Sequence, residues 1–299
     1  MSVPPGRGRA PRIDLHMHSN ASDGQYSPEE VLARAAAGGL DLIALTDHDL
    51  PPALPWGPHE VGGRRVHVVA AAEVTGLHAG REYHLLVYFP GAMPPAYRDW
   101  LAGRAQARAE RYDGALARLG LGDLPGASAA AYAGHLGLTR HHLARALLAA
   151  GVAPTFSDAM RRLLVPGTVP LLDLPYVECI RIAREAGGWC SWAHPPLADA
   201  QLYLPAFAAA GLQGLEGLRP TLARPQRNGL KRLAARFRLR LTGGTDWHGW
   251  RDPPLGLFSV PDEHAWAWLD AIAIGVPLSS TAADLASPSL SARESRGCA

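Results

Sequence analysis

Apolar and polar residues alternate from Ile13 to His18. That is the pattern of a strand, in which residues two apart point the same way. His16 and His18 therefore share a face. A loop with Ser22, Asp23 and Gly24 follows. Ser27-Pro28-Glu29-Glu30 reads as a capping box with proline at the first helical position. This helix is expected to run to Ala37, where Gly38-Gly39 ends it. Leu40 to Leu45 reads as a second strand leading into Thr46-Asp47-His48-Asp49. Strand, helix and strand, with polar residues at the strand exits, is the grammar of an α/β sheet or barrel. Pro51 to Gly63 reads as a loop. Val66 to Val74 and Tyr83 to Phe89 read as strands joined as a hairpin through Gly76 to Gly80.

The grammar then changes. From about Pro94 to Gly167 the periodicity is helical, with a long amphipathic helix from Tyr97 to Leu119 and shorter ones over 141–150 and 157–164. After this segment the α/β pattern resumes. Helices are expected over 177–186, 222–237 and 263–274, and strands over 189–193, 214–218 and 239–242. The division this predicts is a barrel in two parts, 12–93 and 168–285, interrupted by an all-helical insertion over 94–167. Flexible tails are expected over 1–11 and 286–299. No internal repeat is evident.

Composition bounds the class. Hydrophobic residues make up 47% and charged residues 19% of 299, enough for a sizeable core. A net charge of +2 is no signature of a nucleic-acid binder. Cys179, Cys190 and Cys298 fit no paired framework, which points to reduced thiols in a cytoplasmic protein. No apolar run is long enough to span a membrane, and residues 1–12 lack the apolar stretch of a signal peptide. No obligate protein partner is evident.

The candidate chemistry sits at the expected strand exits: His16, His18, Asp23, His48, Glu73, His84, His194, Asp246 and His248. In a barrel these ends converge on one face. All are nitrogen or oxygen donors, a set that suits Mn, Zn, Fe or, less well, Mg. Nine donors exceed the needs of one ion and suffice for two or three. His59, His67, His78, His135 and His264 lack such company and read as surface or packing residues. Asp49 reads as a loop cap, and Trp266 and Trp268 as packing.

The motifs Asp14-Leu15-His16-Met17-His18-Ser19, Thr46-Asp47-His48-Asp49, Ala193-His194-Pro195 and Gly244-Thr245-Asp246-Trp247-His248 together resemble those of the PHP (polymerase and histidinol phosphatase) superfamily. Glu73 and His84 match two further positions. The resemblance implies a distorted (β/α)7 barrel with a helical insertion, and a divalent-metal site with manganese favoured. In the ligand partition it implies, His16, His18, Glu73 and Asp246 hold one ion. Glu73, His84 and His194 hold a second, and Asp23, His48 and His248 a third. Asp47 and Glu216 would orient ligand histidines.

The chain is most similar to the branch that hydrolyses nucleoside 3′,5′-bisphosphates and trims short RNA from the 5′ end. The implied reaction is in-line attack on phosphorus by a metal-bridging hydroxide, with Asp246 among the catalytic residues. Arg108, Arg111, Arg140, His142 and Arg219 are the substrate-binding candidates. Arg108 and Arg111, one helical turn apart, read equally as solvated charges. Arg140 and His142 are also catalytic candidates, His142 either protonating the leaving ribose oxygen or binding a second phosphate. His141 stands where the branch has proline, Arg219 where it has an aromatic residue or histidine, and Val87 where glycine is common. The alternatives are a histidinol-phosphate type phosphatase and a non-catalytic module that binds metal or nucleic acid. An amidohydrolase built on a carboxylated lysine is disfavoured, because Lys231, the sole lysine, lies in an expected helix away from the strand exits.

Overall fold

The computed structural model describes residues 10–123, 128–129, 137–165 and 167–273. The tail expected from 286 lies outside them, as do His135 and Cys298. Of the expected lead-in, Ala10 is already buried against the core.

β1 (Ile13–Met17) and β2 (Leu42–Leu45) pair in parallel around helix α1 (Pro28–Ala37). The capping box at α1 is present: Ser27 Oγ accepts from Glu30 N–H and Glu30 accepts from Ser27 N–H. β2 pairs in parallel with β4 (Arg64–His78), which turns back antiparallel into β5 (Arg81–Phe89). The turn residues Ala79 and Gly80 both have positive φ, 48° and 73°, as a two-residue hairpin turn requires. β6 (Trp189–Trp192) pairs antiparallel with β5, and β7 (Gly214–Leu218) and β8 (Arg240–Gly243) continue in parallel. The two ends of the sheet meet. Asp246 N–H donates to His16 O and His18 N–H to Trp247 O, both at 2.8 Å. Seven strands thus make a mixed, distorted barrel.

Helices α5 (Tyr176–Glu185), α6 (Leu197–Ala209) and α7 (Arg224–Arg236) cover one flank. There Tyr176, Trp192, Leu204 and Phe207 are fully buried. α8 (Asp262–Ile272) packs Trp268, also fully buried, against Tyr88 at 5.3 Å. This agrees with the packing role expected of Trp268.

Three local expectations need correction. Gly57–Val61 is a strand, β3, inside the expected loop. It folds back on β4 through Gly62 and Gly63, both at positive φ. α6 was not expected. Its sequence is apolar nearly throughout and contains Pro205, so no amphipathic period marks it. The helix expected over 157–164 is one short α-turn, α4 (Phe156–Asp158), followed by a π-helical turn over Ala159–Leu163.

The segment read as an insertion contributes α2 (Pro95–Arg118) and α3 (Arg140–Ala149), and Tyr112, Leu116, Leu143, Leu147 and Leu164 within it form a buried cluster of their own. α2 is anchored on the barrel by charge. Arg104 Nε and Arg108 Nε donate to Asp49 at 3.2 and 2.7 Å, and Arg108 Nη2 donates to Thr75 Oγ1 at 2.6 Å. Asp49 also accepts from Thr75 N–H. Burial opposes ionisation of Asp49, but Arg108 and Arg104 hold its carboxyl below the usual range. Asp49 is structural, as expected, but as the centre of an ion-pair network between β4 and α2 and not as a loop cap. Removing one partner strands a buried charge. Asp49→Ala should cost about 3–5 kcal/mol in urea unfolding; a loss under about 1 kcal/mol, the scale of surface pairs, would show that the network does not anchor the insertion.

Candidate metal centre and cleft

The barrel end formed by the C-termini of β1, β2, β6, β7 and β8 gathers all nine expected donors. Two arrive by a different route from the one their sequence suggests. Glu73 lies within β4, which runs on to His78, and His84 lies near the start of antiparallel β5. The antiparallel hairpin brings both to the same end of the barrel.

Glu73 occupies the middle. Its Oε1 lies 3.3 Å from His16 Nε2, 3.1 Å from His84 Nδ1 and 3.0 Å from His194 Nε2. Its Oε2 lies 3.3 Å from His18 Nε2 and 3.0 Å from His48 Nδ1. Asp246 Oδ1 faces His16 and His18 at 3.3 and 3.4 Å, and Asp23 Oδ1 faces His248 Nε2 at 3.3 Å. Among the described residues, four groupings have ligand atoms close enough to enclose an ion. They are His18-Asp23-His48-His248, His16-His18-Asp246, His16-Glu73-His194 and His48-Glu73-His84.

The residues fit divalent metal on physical grounds. His16 Nε2, both ring nitrogens of His18, His48 Nδ1 and Glu73 Oε2 are buried without a well-formed hydrogen bond. Such groups are costly unless something compensates them. Burial, with His248 next, pushes His18 down to about 3, the neutral form a metal ligand needs. Burial opposes His248 too, but its hydrogen bond and attraction to Asp23 raise it to about 9. Burial likewise resists ionisation of Glu73, yet His84, His16 and His48 hold it well below the carboxylate range. Imidazolium groups balance the carboxylates in this arrangement, and divalent cations would do so in their place.

The surrounding residues fix the donors. His16 Nδ1 lies 2.9 Å from Glu216 Oε1, and a proton there leaves Nε2 as the ligating atom. Glu216 Oε2 also accepts from His194 N–H at 2.6 Å. Asp47 acts differently from expectation. It accepts from Ser19 N–H and from the Ser19 and Ser22 hydroxyls, so it holds the loop that carries Asp23 rather than a histidine. Asp14 accepts from Thr245 N–H and Oγ1 and ties β1 to the exit of β8. His194 and Asp246 sit at positive φ, 30° and 55°, a strained backbone that surrounding structure must enforce.

A cleft of about 570 Å³ runs from Asp23, His48 and His84 to the insertion, where Arg111, Arg140 and His141 line it. Arg111 pairs with Glu82 at 2.8 Å while its buried Nε has no partner. Arg140 donates through Nη2 to Leu164 O and Met160 O. Arg108 also lines the cleft, with its guanidinium engaged by Asp49, Thr75 and Leu138 O. His142 Nδ1 accepts from Thr139 N–H at 3.1 Å, standing in for the glutamate of a capping box on α3, and the residue does not line the cleft. Neither does Arg219, at the exit of β7. His141, which stands where the branch has proline, lines the cleft. Trp250 escaped the sequence reading: its Nε1 donates to Asp23 O at 2.8 Å. Its place two residues after His248 was the available signal.

A family model for the PHP domain matches residues 14–90. The 5′-3′ exoribonuclease Rnm of Salmonella typhimurium is 31% identical over 189 residues, 61% of this chain and 64% of that protein. The chain thus matches just under two thirds of that relative. The phosphoribosyl 1,2-cyclic phosphate 1,2-diphosphodiesterase of Eggerthella lenta is 32% identical over 83% of this chain and 98% of its own length. The chain belongs to the PHP family. The 3′,5′-nucleoside bisphosphate phosphatase of Chromobacterium violaceum is 28% identical over 79% of this chain and 87% of its own. Among solved structures, a protein from Bifidobacterium adolescentis, described as a metal-dependent phosphoesterase, superposes with a TM-score of 0.69. It is 28% identical and covers 92% of this chain and 99% of its own.

One close approach tests the site directly. A Cβ at Gly244 would stand 2.4 Å from His16 Cβ, so a side chain there must displace a ligand. Gly244→Ala should lower the metal content per chain, read by elemental analysis after purification without chelator. An unchanged content would show that the placement of His16 does not matter to binding.

Proposed function

We propose that this PHP protein is a metal-dependent phosphoric ester hydrolase acting on a ribose that carries more than one phosphate. Nucleoside 3′,5′-bisphosphates are the principal substrates, and the 5′ ends of short RNA present the same group. The observation that carries this reading is the shared cleft: metal-ligand candidates and the arginines Arg111 and Arg140 line one space. One phosphate would sit at the metal cluster while the guanidinium groups take a second. The three named relatives act on a nucleoside bisphosphate, RNA or a phosphoribosyl cyclic phosphate, and each of these pairs ribose with more than one phosphate position.

The residues that would hold the ions are His16, His18, Asp23, His48, Glu73, His84, His194, Asp246 and His248, two or three ions per chain, with manganese preferred and zinc, iron or magnesium tolerated. When bound, such ions supply Lewis acidity and a nucleophile at neutral pH. The protein's own part is positioning. Glu216 fixes His16 and the backbone of His194, Asp47 fixes the loop of Asp23, and Arg140 is steered by the carbonyls of Met160 and Leu164. With His142 in the helix cap, its proposed part is to hold Thr139 and Arg140 at the cleft.

Among the described residues no helix is long and apolar enough to cross a membrane. Cys179 and Cys190 are buried and unbridged, which supports a reducing, cytoplasmic setting.

A second reading, cyclic phosphodiesterase action on a phosphoribosyl substrate, is favoured by the alignment over 98% of such an enzyme. Phosphate release from adenosine 3′,5′-bisphosphate, AMP, short RNA and histidinol phosphate, with ring opening of phosphoribosyl 1,2-cyclic phosphate, separates the possibilities. Adenosine 3′,5′-bisphosphate should turn over well ahead of AMP. Exclusive turnover of histidinol phosphate would overturn the proposal. Arg140→Ala should raise KM for the bisphosphate about tenfold or more, the scale of a lost charged hydrogen bond, and leave KM for AMP nearly unchanged; equal effects on both would remove Arg140 from the second-phosphate site.

A further inference from the structure

An aromatic cluster that the hydrolytic chemistry does not require adjoins the cleft at His141, which lines it. Trp250 lies on the loop after β8, two residues past His248, and its Nε1 is tied to Asp23 O at 2.8 Å. The His141 ring, from α3 of the insertion, lies 4.9 Å from the Trp250 ring at an interplanar angle of 33°. Phe156 stands 4.9 Å from His141 on another side. Arg145, one helical turn beyond His141, places its guanidinium 4.5 Å from the Trp250 centroid. The indole is therefore fixed at its edge by a hydrogen bond and in position by two neighbours. Yet it remains 38% exposed, whereas Trp189, Trp192, Trp247 and Trp268 are 5% exposed or less. Packing explains those four; it does not explain a rigid, exposed indole bonded to a residue of the metal cluster.

We propose that Trp250 and His141 form the surface on which the substrate's nucleobase stacks. The inference rests on the phosphoesterase reading above and deepens it by naming the substrate class as nucleotides rather than base-free sugar phosphates. Asp23 and His141 both line the cleft, and Trp250 touches both, so a base extending along this side from a phosphate at the cluster would meet the His141 ring with Trp250 beside it. Stacking is indifferent to base identity, because every base has a π-face. The site would accept purines and pyrimidines alike. A ring already held in place loses little freedom when a base settles on it.

The test compares 2′-deoxyadenosine 3′,5′-bisphosphate with its tetrahydrofuran abasic analogue, which differs only in lacking the base. The quantity read is the ratio of their KM values. Trp250→Leu should shift that ratio about tenfold against the nucleotide, on the scale of one lost base stack. Trp250→Phe, which keeps a ring but loses the Nε1 donor, should restore most of the preference. Equal effects of Trp250→Leu on both substrates, or no effect on either, would overturn the proposal. So would Trp250→Phe behaving like Trp250→Leu, because the bond to Asp23 would then be the whole role of Trp250. Binding of dAMP and of deoxyribose 5-phosphate, measured by calorimetry on the protein as purified without chelator, gives a second readout. The wild type should prefer dAMP and Trp250→Leu should lose that preference; an unaltered preference contradicts the platform. If no phosphate ester turns over at all, the phosphoesterase reading fails and the binding measurement still decides the platform.

Discussion

Glu73 is fully buried and faces five imidazoles, those of His16, His18, His48, His84 and His194, at 3.0–3.3 Å. An ionised carboxylate in such a place needs several positive charges around it. The geometry divides that need between two oxygens, each turned towards a different set of histidines. Most of the barrel end serves this arrangement. Glu73 is carried mid-strand on β4, where neighbours on both sides hold the backbone, and not on a loop. The hairpin into β5 supplies His84. The strained backbone at His194 and Asp246 turns their side chains towards the same point.

The insertion depends on the same region. Its return to the barrel passes over the metal loop at Gly137, where a Cβ would stand 2.8 Å from Ser22 Cβ and 3.0 Å from His48 O. Asp49, the residue after His48, anchors α2 through Arg104 and Arg108. The barrel loop that carries His48 thus also fixes the segment that carries Arg111, Arg140 and His141. A change in one should be felt in the other. Substrate preference and metal retention are therefore expected to be partly coupled in variants of this loop.

Much of this was legible in the sequence, for identifiable reasons. The period-two pattern at Ile13 to His18 and the capping box at Ser27 are local signals, and local geometry answers them. The nine donors were legible because strand exits of a barrel converge, although Glu73 and His84 reached the cluster through an antiparallel hairpin. The roles of charged residues in the insertion were less legible. Arg108 and Arg111 look alike in sequence, one turn apart on one helix. Only tertiary placement puts Arg108 on Asp49 and leaves Arg111 with an unpartnered Nε. His141 and His142 are adjacent, and the helix cap decides which of them turns inward. α6 carried no amphipathic period to reveal it, and the exposure of Trp250 depends on how the insertion sits.

The central claim is that Glu73 is shared between ions in one cluster. Metal stoichiometry in wild type and in Glu73→Gln, measured on the folded proteins by elemental analysis, tests it most directly. The account predicts two or three divalent ions per wild-type chain and the loss of more than one in the variant. A wild type without bound metal after reconstitution, or a variant that keeps the full complement, would contradict it.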